Sequence, residues 1–241
     1  MVEDQSTQLK KALAEIHQRW GNEALRPASS LKPQTTYIPT GYPTLDSLIN
    51  GGIPCGRITE INGSPTSGMT TLTMNIIAQA QGLGRIGIYV DFAGVFDADY
   101  AVHCGLQLEG LLIARPLDTA SAMDVLQIVA DTGGAGISVL DHIMVIPHSE
   151  RILGGGLRRL SPALRQSGFT ALLLNPGQAS PALVQHAALR LTCENQGWIE
   201  QGRDIVGYHV RVSVLKMLWG KVDRWVNIDV MLDDAAGEEA A

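Results

Sequence analysis

Apolar residues change their spacing from one segment of the chain to the next. Strand-like runs, most of them continuously apolar, occupy the segments 57–62, 87–92, 111–114, 137–141 and 169–175. The intervening segments 71–80 and 120–130 have apolar residues at helical spacing. Because apolar strands that alternate with helices are typical of parallel sheets covered on both faces, we predict an α/β fold with a mostly parallel sheet.

Polar residues close three of these predicted strands, namely Asp91, Asp141 and Asn175. Ligands of open parallel sheets bind at the carboxyl ends of the strands. We therefore expect a binding site at the edge of the sheet where these three side chains lie.

The pattern changes after residue 186. Polar and apolar residues alternate in the segments 187–195, 207–215 and 225–232. Strict alternation indicates strands with one buried face, so we predict C-terminal antiparallel strands.

The start of the chain is predicted to form a helix over residues 5–20, followed by a linker over 21–37 that is broken by glycine and proline. One apolar stripe of this helix carries Leu9, Leu13, Ile16 and Trp20. The pattern leaves open whether the stripe packs on its own domain or on a neighbouring subunit. We accordingly divide the chain into an N-terminal arm (1–37), a core (38–232) and an acidic tail (233–241).

Composition narrows the class of protein further. The chain has 241 residues, of which 45% are hydrophobic, and a net charge of -6, which suits a packed globular core and indicates no general basic field for nucleic acid. Cys55, Cys104 and Cys193 are widely spaced, which predicts neither a metal site nor a disulfide framework and favours a reducing compartment. With an acidic start and no membrane-length apolar run, we predict a cytoplasmic protein with no membrane partner.

A glycine-rich segment, GSPTSGMT over residues 63–70, matches the phosphate-binding pattern G-x-x-x-x-G-K-[ST] except at the lysine. It lies between a predicted strand and a predicted helix, as such a loop requires. Met69 replaces the lysine that reaches the β- and γ-phosphates, and a thioether carries no charge. An ordinary Gly/Ser-rich turn is the alternative interpretation of these residues alone.

Beyond this loop the chain resembles the RecA-type recombinase family from about Leu9 to Leu232. KALAEI followed by WG looks like the N-terminal helix of that family. TGYPTLD and GGIPCGRITEI, which begin at Thr40 and Gly51, are similar to its segment before the phosphate loop. The resemblance implies a RecA-like P-loop core, and it does not include the large C-terminal domain of typical members.

The resemblance also implies roles for single residues. Thr70 and Asp141 match the hydroxyl and the acid that hold Mg²⁺, and Asp97 and Tyr100 match the pair that grips adenine. The nucleotide-binding residues implied by loop and family together are Gly63, Ser64, Pro65, Thr66, Ser67, Gly68, Met69, Thr70, Thr71, Asp97 and Tyr100. From the residues alone, a strand-end helix cap is the alternative for Asp141, and a helix N-cap and a half-buried aromatic are the alternatives for Asp97 and Tyr100.

Three parts of the family's mechanism are replaced together. Met69 stands at the lysine, Ala93 at the glutamate that activates water, and Pro176 at the glutamine that senses the γ-phosphate. Deletion of one such charged or polar group typically costs on the order of a hundredfold in rate. We therefore predict that the protein does not hydrolyse ATP usefully and that Mg-ATP or ADP binds weakly, if it binds.

The family's two DNA-contacting loops are shortened here to about 147–156 and 177–181. Four arginines near the first are candidates for DNA backbone contacts, and a solvated helix face is the alternative interpretation: Arg151, Arg158, Arg159 and Arg165. Lys216 matches one of two lysines that cross the subunit interface towards the neighbour's ATP, and Leu218 replaces the other.

Three functions stay open at this point. The first is a non-catalytic DNA repair or recombination protein that binds RecA-type subunits, a repair polymerase or single-stranded DNA. The second is a divergent DNA-dependent ATPase in which another cation, such as Arg85 or Lys216, replaces the lysine. The third is a regulatory sensor that binds nucleotide without turnover.

Overall fold

The computed structural model describes residues 2–21, 24–25, 35–133, 136–142, 150–177 and 180–232, with the backbone alone for 2–6. Contacts divide the chain into two units, Met1–Thr35 and Thr36–Ala241. The predicted tail over 233–241 and much of the predicted linker lie outside the described residues.

Among its described residues the first unit has one helix, α1 (Val2–Trp20), which begins three residues before the predicted start. Leu9 and Trp20, at the two ends of the predicted apolar stripe, are 62% and 67% exposed. The carbonyl oxygen of Leu25, which follows the helix, lies 2.6 Å from Nε2 of His17 in its last turn.

The second unit alternates strands and helices. Its elements are β1 (Tyr37–Ile38), α2 (Pro43–Leu48), β2 (Ile53–Pro54), β3 (Ile58–Gly63), α3 (Met69–Gly82), β4 (Gly87–Asp91), α4 (Ala98–His103), a 3₁₀ turn (Leu108–Gly110), β5 (Leu111–Ala114), α5 (Thr119–Thr132), β6 (Ile137–Asp141), α6 (Glu150–Ser167), β7 (Thr170–Asn175), α7 (Pro181–His186), β8 (Leu189–Gln201), β9 (Asp204–Met217) and β10 (Arg224–Met231).

An eight-stranded sheet forms the centre of this unit, in the order β10-β9-β8-β3-β7-β6-β4-β5. The pairs from β8 to β5 are parallel, whereas β9 pairs antiparallel with β8 and β10 pairs antiparallel with β9. The predicted α/β class, with a mostly parallel sheet and antiparallel C-terminal strands, is confirmed. β8 and β9 are longer than predicted, because their hairpin continues until Gln201 pairs with Asp204.

Both faces of the sheet are covered. Val139 of β6 and Leu172 of β7 belong to one apolar cluster, whereas Leu140 and Leu173 belong to the other. This alternation of successive side chains explains why the strands are continuously apolar.

The first shortened loop was expected to extend to residue 156, and this expectation is wrong. α6 begins at Glu150, so residues 150–156 are helical, while 147–149 lie outside the described residues. The three consecutive glycines suggest a break, but burial of the leucines at helical spacing prevails. Gly156 also lets α6 approach α5 closely, since an added Cβ would lie 2.8 Å from Met123 Cε.

Candidate nucleotide-binding site

The glycine-rich loop joins β3 to α3, so the strand, the loop and the helix follow each other as predicted. Gly68 has a φ of +86°, and a Cβ added there would lie 2.6 Å from Val210 Cγ2. Only glycine satisfies both conditions. Strand β9, which carries Val210, therefore packs directly against the end of the loop.

A cavity of about 530 Å³ opens around the loop. Its lining consists of Ser64, Pro65, Thr66, Ser67, Gly68, Met69, Thr70, Thr71, Tyr100, His142, Pro176, Asn195, Trp198, Tyr208 and Leu232. This volume lies within the range of small-molecule sites. The described lining residues include no lysine and no arginine, so no permanently charged cation lines the cavity among them.

Met69 lines the cavity, but most of its side chain packs in the core. It is the first residue of α3, its exposed fraction is only 4%, and it packs in the same apolar cluster as Leu72 and Val210. A buried thioether here supplies packing energy at the position where the P-loop pattern requires a phosphate-binding cation.

Asp141, at the end of β6, is 1% exposed and already has protein groups at both carboxylate oxygens. The hydroxyl of Tyr89 donates to its Oδ2 over 2.6 Å. Burial, reinforced by the Asp141 carboxylate, raises the pKa of Tyr89 far above its usual value, so the phenol stays protonated. His142 Nδ1 lies 2.6 Å from the other oxygen, Oδ1, although without hydrogen-bond geometry.

Three hydroxyl groups meet beside the loop. Thr71 Oγ1 lies 2.5 Å from the hydroxyl of Tyr100 and 2.9 Å from that of Tyr208. Burial raises the pKa of Tyr100 above its usual range. Trp198 packs edge-on against Tyr208, with 6.0 Å between the ring centroids. The predicted adenine residue Tyr100 thus lies at the cavity, tied to the first turn of α3.

Asp97, the second predicted adenine residue, caps the amino end of α4. Its Oδ1 accepts a hydrogen bond from Tyr100 N over 3.0 Å, as an N-cap does.

The other acid of this region, Asp91, holds the turn after β4 by accepting from Val95 N and from Arg115 Nε. Ala93 is exposed in that turn, and Pro176 lines the cavity.

The four arginines proposed for DNA all lie on α6, but they face different surroundings along it. Arg151 and Arg159 line a groove with α5, where Arg159 is 3.7 Å from Asp124. Arg165 lines another cavity near the carboxyl end of the helix, and Arg158 lies near His186. The structure therefore divides the predicted cluster into two parts.

The ends of the two shortened loops are held together by Glu150. Its carboxylate accepts hydrogen bonds from Ser180 Oγ over 2.7 Å and from Ala182 N over 2.7 Å. The start of α6 is thereby tied to the start of α7.

Neither of the two cations considered as a replacement for the lysine lines the cavity. Lys216 Nζ donates to Val184 O over 2.7 Å, and burial together with the nearby Arg190 lowers its pKa. Arg85 precedes β4 and reaches Gly136 O over a long 3.5 Å contact. Both side chains therefore make contacts near the amino ends of the strands, whereas the loop follows the carboxyl end of β3.

Some residues of this site carried no signal in the sequence. Tyr89 stands inside an apolar strand, where an aromatic residue is ordinary. His142 follows a strand end, where the sequence gives no sign that its ring faces the carboxylate of the preceding residue, Asp141. Trp198 and Tyr208 reach the loop only through the β8–β9 hairpin.

The described residues offer no candidate for two further kinds of site. None of their helices is long and apolar enough to cross a bilayer. Within the same residues, no group of three or more His, Cys, Asp or Glu side chains is placed to hold a metal ion.

Comparison with known proteins assigns the family. The RecA N-terminal domain model matches residues 7–175, so the chain belongs to the RecA family. It is 32% identical to Protein RecA of Thermus thermophilus over 248 residues, covering 90% of this chain and 73% of that protein. It is 29% identical to Protein RecA of Herpetosiphon aurantiacus over 261 residues, covering 96% and 73%.

The fold is shared with a solved structure described as the RadB recombinase. The TM-score is 0.65 at 20% sequence identity, and the match covers 80% of this chain and 95% of the other. The RecA-type identification made from the sequence is thereby confirmed.

Proposed function

We propose that this RecA-family protein acts in DNA repair or recombination by binding partners and not by hydrolysing ATP. Its partners would be RecA-type subunits, either its own copies or a true recombinase, or a repair polymerase, with single-stranded DNA as a further ligand. The observation that carries the proposal is Asp141, whose carboxylate receives the Tyr89 hydroxyl on one oxygen and faces His142 on the other.

The residues at the loop do not fit a Mg²⁺-triphosphate. Thr70 lines the cavity, but Asp141 is engaged by the protein, and Met69 packs in the core. No residue of the described lining replaces the missing cation. Weak binding through the nucleoside and the loop backbone is compatible with this arrangement, and the proposal therefore includes no phosphoryl-transfer step.

We expect the purified protein to hydrolyse ATP no faster than buffer, with or without single-stranded DNA. The physical reason is that phosphoryl transfer depends on positioning and charge stabilisation, and the residues for both are replaced. A phosphate-release assay would measure turnover, with an inactivated recombinase as the baseline. The Met69→Lys and Tyr89→Phe changes together should still give no turnover, because Ala93 provides no base.

DNA-stimulated turnover that disappears in the Asp141→Asn variant would contradict this function. It would instead support the alternative, a divergent DNA-dependent ATPase. The Asp141→Asn control matters because it separates turnover by this chain from that of a contaminating recombinase.

We further expect ATP and ADP to bind with similar, weak affinity. No described side chain of the cavity distinguishes the γ-phosphate by charge. Isothermal titration calorimetry with both nucleotides would test this, and Tyr100→Ala should weaken both to the same extent. Tyr100→Phe is the matched variant, since it keeps the ring and removes only the hydroxyl beside Thr71. A strong preference for ATP would refute the expectation.

A further inference from the structure

A second cavity lies beside the amino end of β3, at the opposite end of this strand from the glycine-rich loop. It has a volume of about 150 Å³ and is lined by Arg57, Ser161, Arg165 and His186, among others. Arg57 directly precedes β3, whose six residues put this cavity roughly 20 Å from the loop. It is therefore separate from the site described above.

Positive charge dominates this cavity. Its described lining contains no aspartate and no glutamate, and neither Arg57 nor Arg165 forms an ion pair within the described part of the chain. Burial and the neighbouring Arg165 lower the pKa of Arg57. Burial, with Arg158 and Lys216, lowers the pKa of His186. The two arginines thus repel each other, and a bound anion would relieve this repulsion.

The size of the cavity restricts the anion. A water molecule occupies about 30 Å³, so the space accommodates a few waters or one tetrahedral oxyanion. A complete nucleotide is too large, because ligand pockets of that kind start at about 300 Å³. A single phosphate group fits, provided that the rest of its molecule lies outside.

An exposed aromatic surface adjoins the cavity. The Arg57 guanidinium lies 5.3 Å from the ring centroid of Trp219, and this ring is 48% exposed. Leu218, which lines the cavity, is exposed as well. Cations beside exposed aromatic rings are the means by which proteins hold the backbone and bases of single strands.

We propose that Arg57, Arg165 and His186 bind one backbone phosphate of a single-stranded nucleic acid, with Trp219 as the stacking surface for an adjacent base. This inference extends the single-stranded DNA part of the proposed function to a pocket outside the shortened loops. It is independent of whether the glycine-rich loop binds or hydrolyses nucleotide.

Fluorescence anisotropy with a labelled oligothymidylate would test the proposal on the full chain. We expect Arg57→Gln and Arg165→Gln each to weaken binding about tenfold, because each removes a charge-assisted hydrogen bond. The steepness of the salt dependence should fall by about one ion per arginine. Trp219→Ala should weaken binding, and Trp219→Phe should retain most of it.

Arg203→Gln is the matched control, since it removes the same charge from the exposed turn between β8 and β9, and Arg203 lines neither cavity. Thermal denaturation of each variant would establish that it folds. Wild-type affinity in both Arg57→Gln and Arg165→Gln would overturn the proposal, and so would an equal loss in Arg203→Gln, which would indicate diffuse attraction.

A competition experiment distinguishes binding of a nucleic-acid phosphate from binding of free inorganic phosphate. Inorganic phosphate should displace the oligonucleotide only at far higher concentration, because it cannot stack on Trp219. If phosphate competes equally well and Trp219→Ala has no effect, the pocket binds a free oxyanion and the assignment to single strands is wrong. ATPase and calorimetric results at the loop report on the other site, so failure of one proposal is distinguishable from failure of the other.

Discussion

Replacement of Arg190 by methionine is expected to lower the free energy of unfolding by about 3–5 kcal/mol. Arg190 Nε donates to Glu60 Oε2, and the side chains of these residues are 9% and 0% exposed. The other oxygen, Glu60 Oε1, accepts from Asn175 Nδ2 over 2.9 Å. The three side chains join the adjacent strands β8, β3 and β7, so the variant leaves a buried carboxylate without its counter-ion.

Urea denaturation followed by circular dichroism would measure this loss. The double variant Glu60→Leu with Arg190→Met should recover much of it, because apolar replacement of a buried pair is often neutral. Arg211→Met is the matched control: its guanidinium lies 4.5 Å from the Trp225 ring centroid, a contact of about 1 kcal/mol. An Arg190→Met variant within about 1 kcal/mol of the wild type would show that the ion pair does not hold these strands together.

The fold could be predicted largely because local patterns and burial agree. Strands such as β6 and β7 are apolar on both faces, and helices cover both faces. The α6 start was missed for a physical reason. Glycines at 154–156 disfavour a helix by propensity, but Leu153 and Leu157 are fully buried, and that burial decides the conformation.

The candidate site was less predictable, because its chemistry depends on contacts between distant segments. The sequence places Met69 in the loop, but only the structure places its side chain in the core. Tyr89 and Asp141 are 52 residues apart, and their hydrogen bond arises because β4 and β6 are neighbours in the sheet. Asp97 illustrates the converse, since a residue with a role implied by the family also serves as an ordinary helix cap.

Deletion of residues 1–22 is expected to abolish self-association, or binding to a true recombinase, while the core stays folded. In the family that this chain resembles, the N-terminal helix docks on the adjacent subunit. Here Leu9 and Trp20 of α1 are largely exposed, and full burial of such side chains is worth about 1.5–3 kcal/mol each before ordering costs. The contacts of Thr36–Ala241 form a unit of their own, which is the reason to expect a folded core.

Light scattering and pull-down with a purified recombinase would measure the two kinds of association. Leu9→Ser with Trp20→Ser in the full chain should act like the deletion, because these changes remove the two largely exposed side chains of the apolar stripe and keep the rest of the helix. Lys11→Ser with Glu15→Ser is the matched control, since both residues lie off the stripe, and it should leave association unchanged. If neither the deletion nor the stripe variant alters either measurement, α1 does not serve as a docking helix, and the proposal of a RecA-type partner loses its main support.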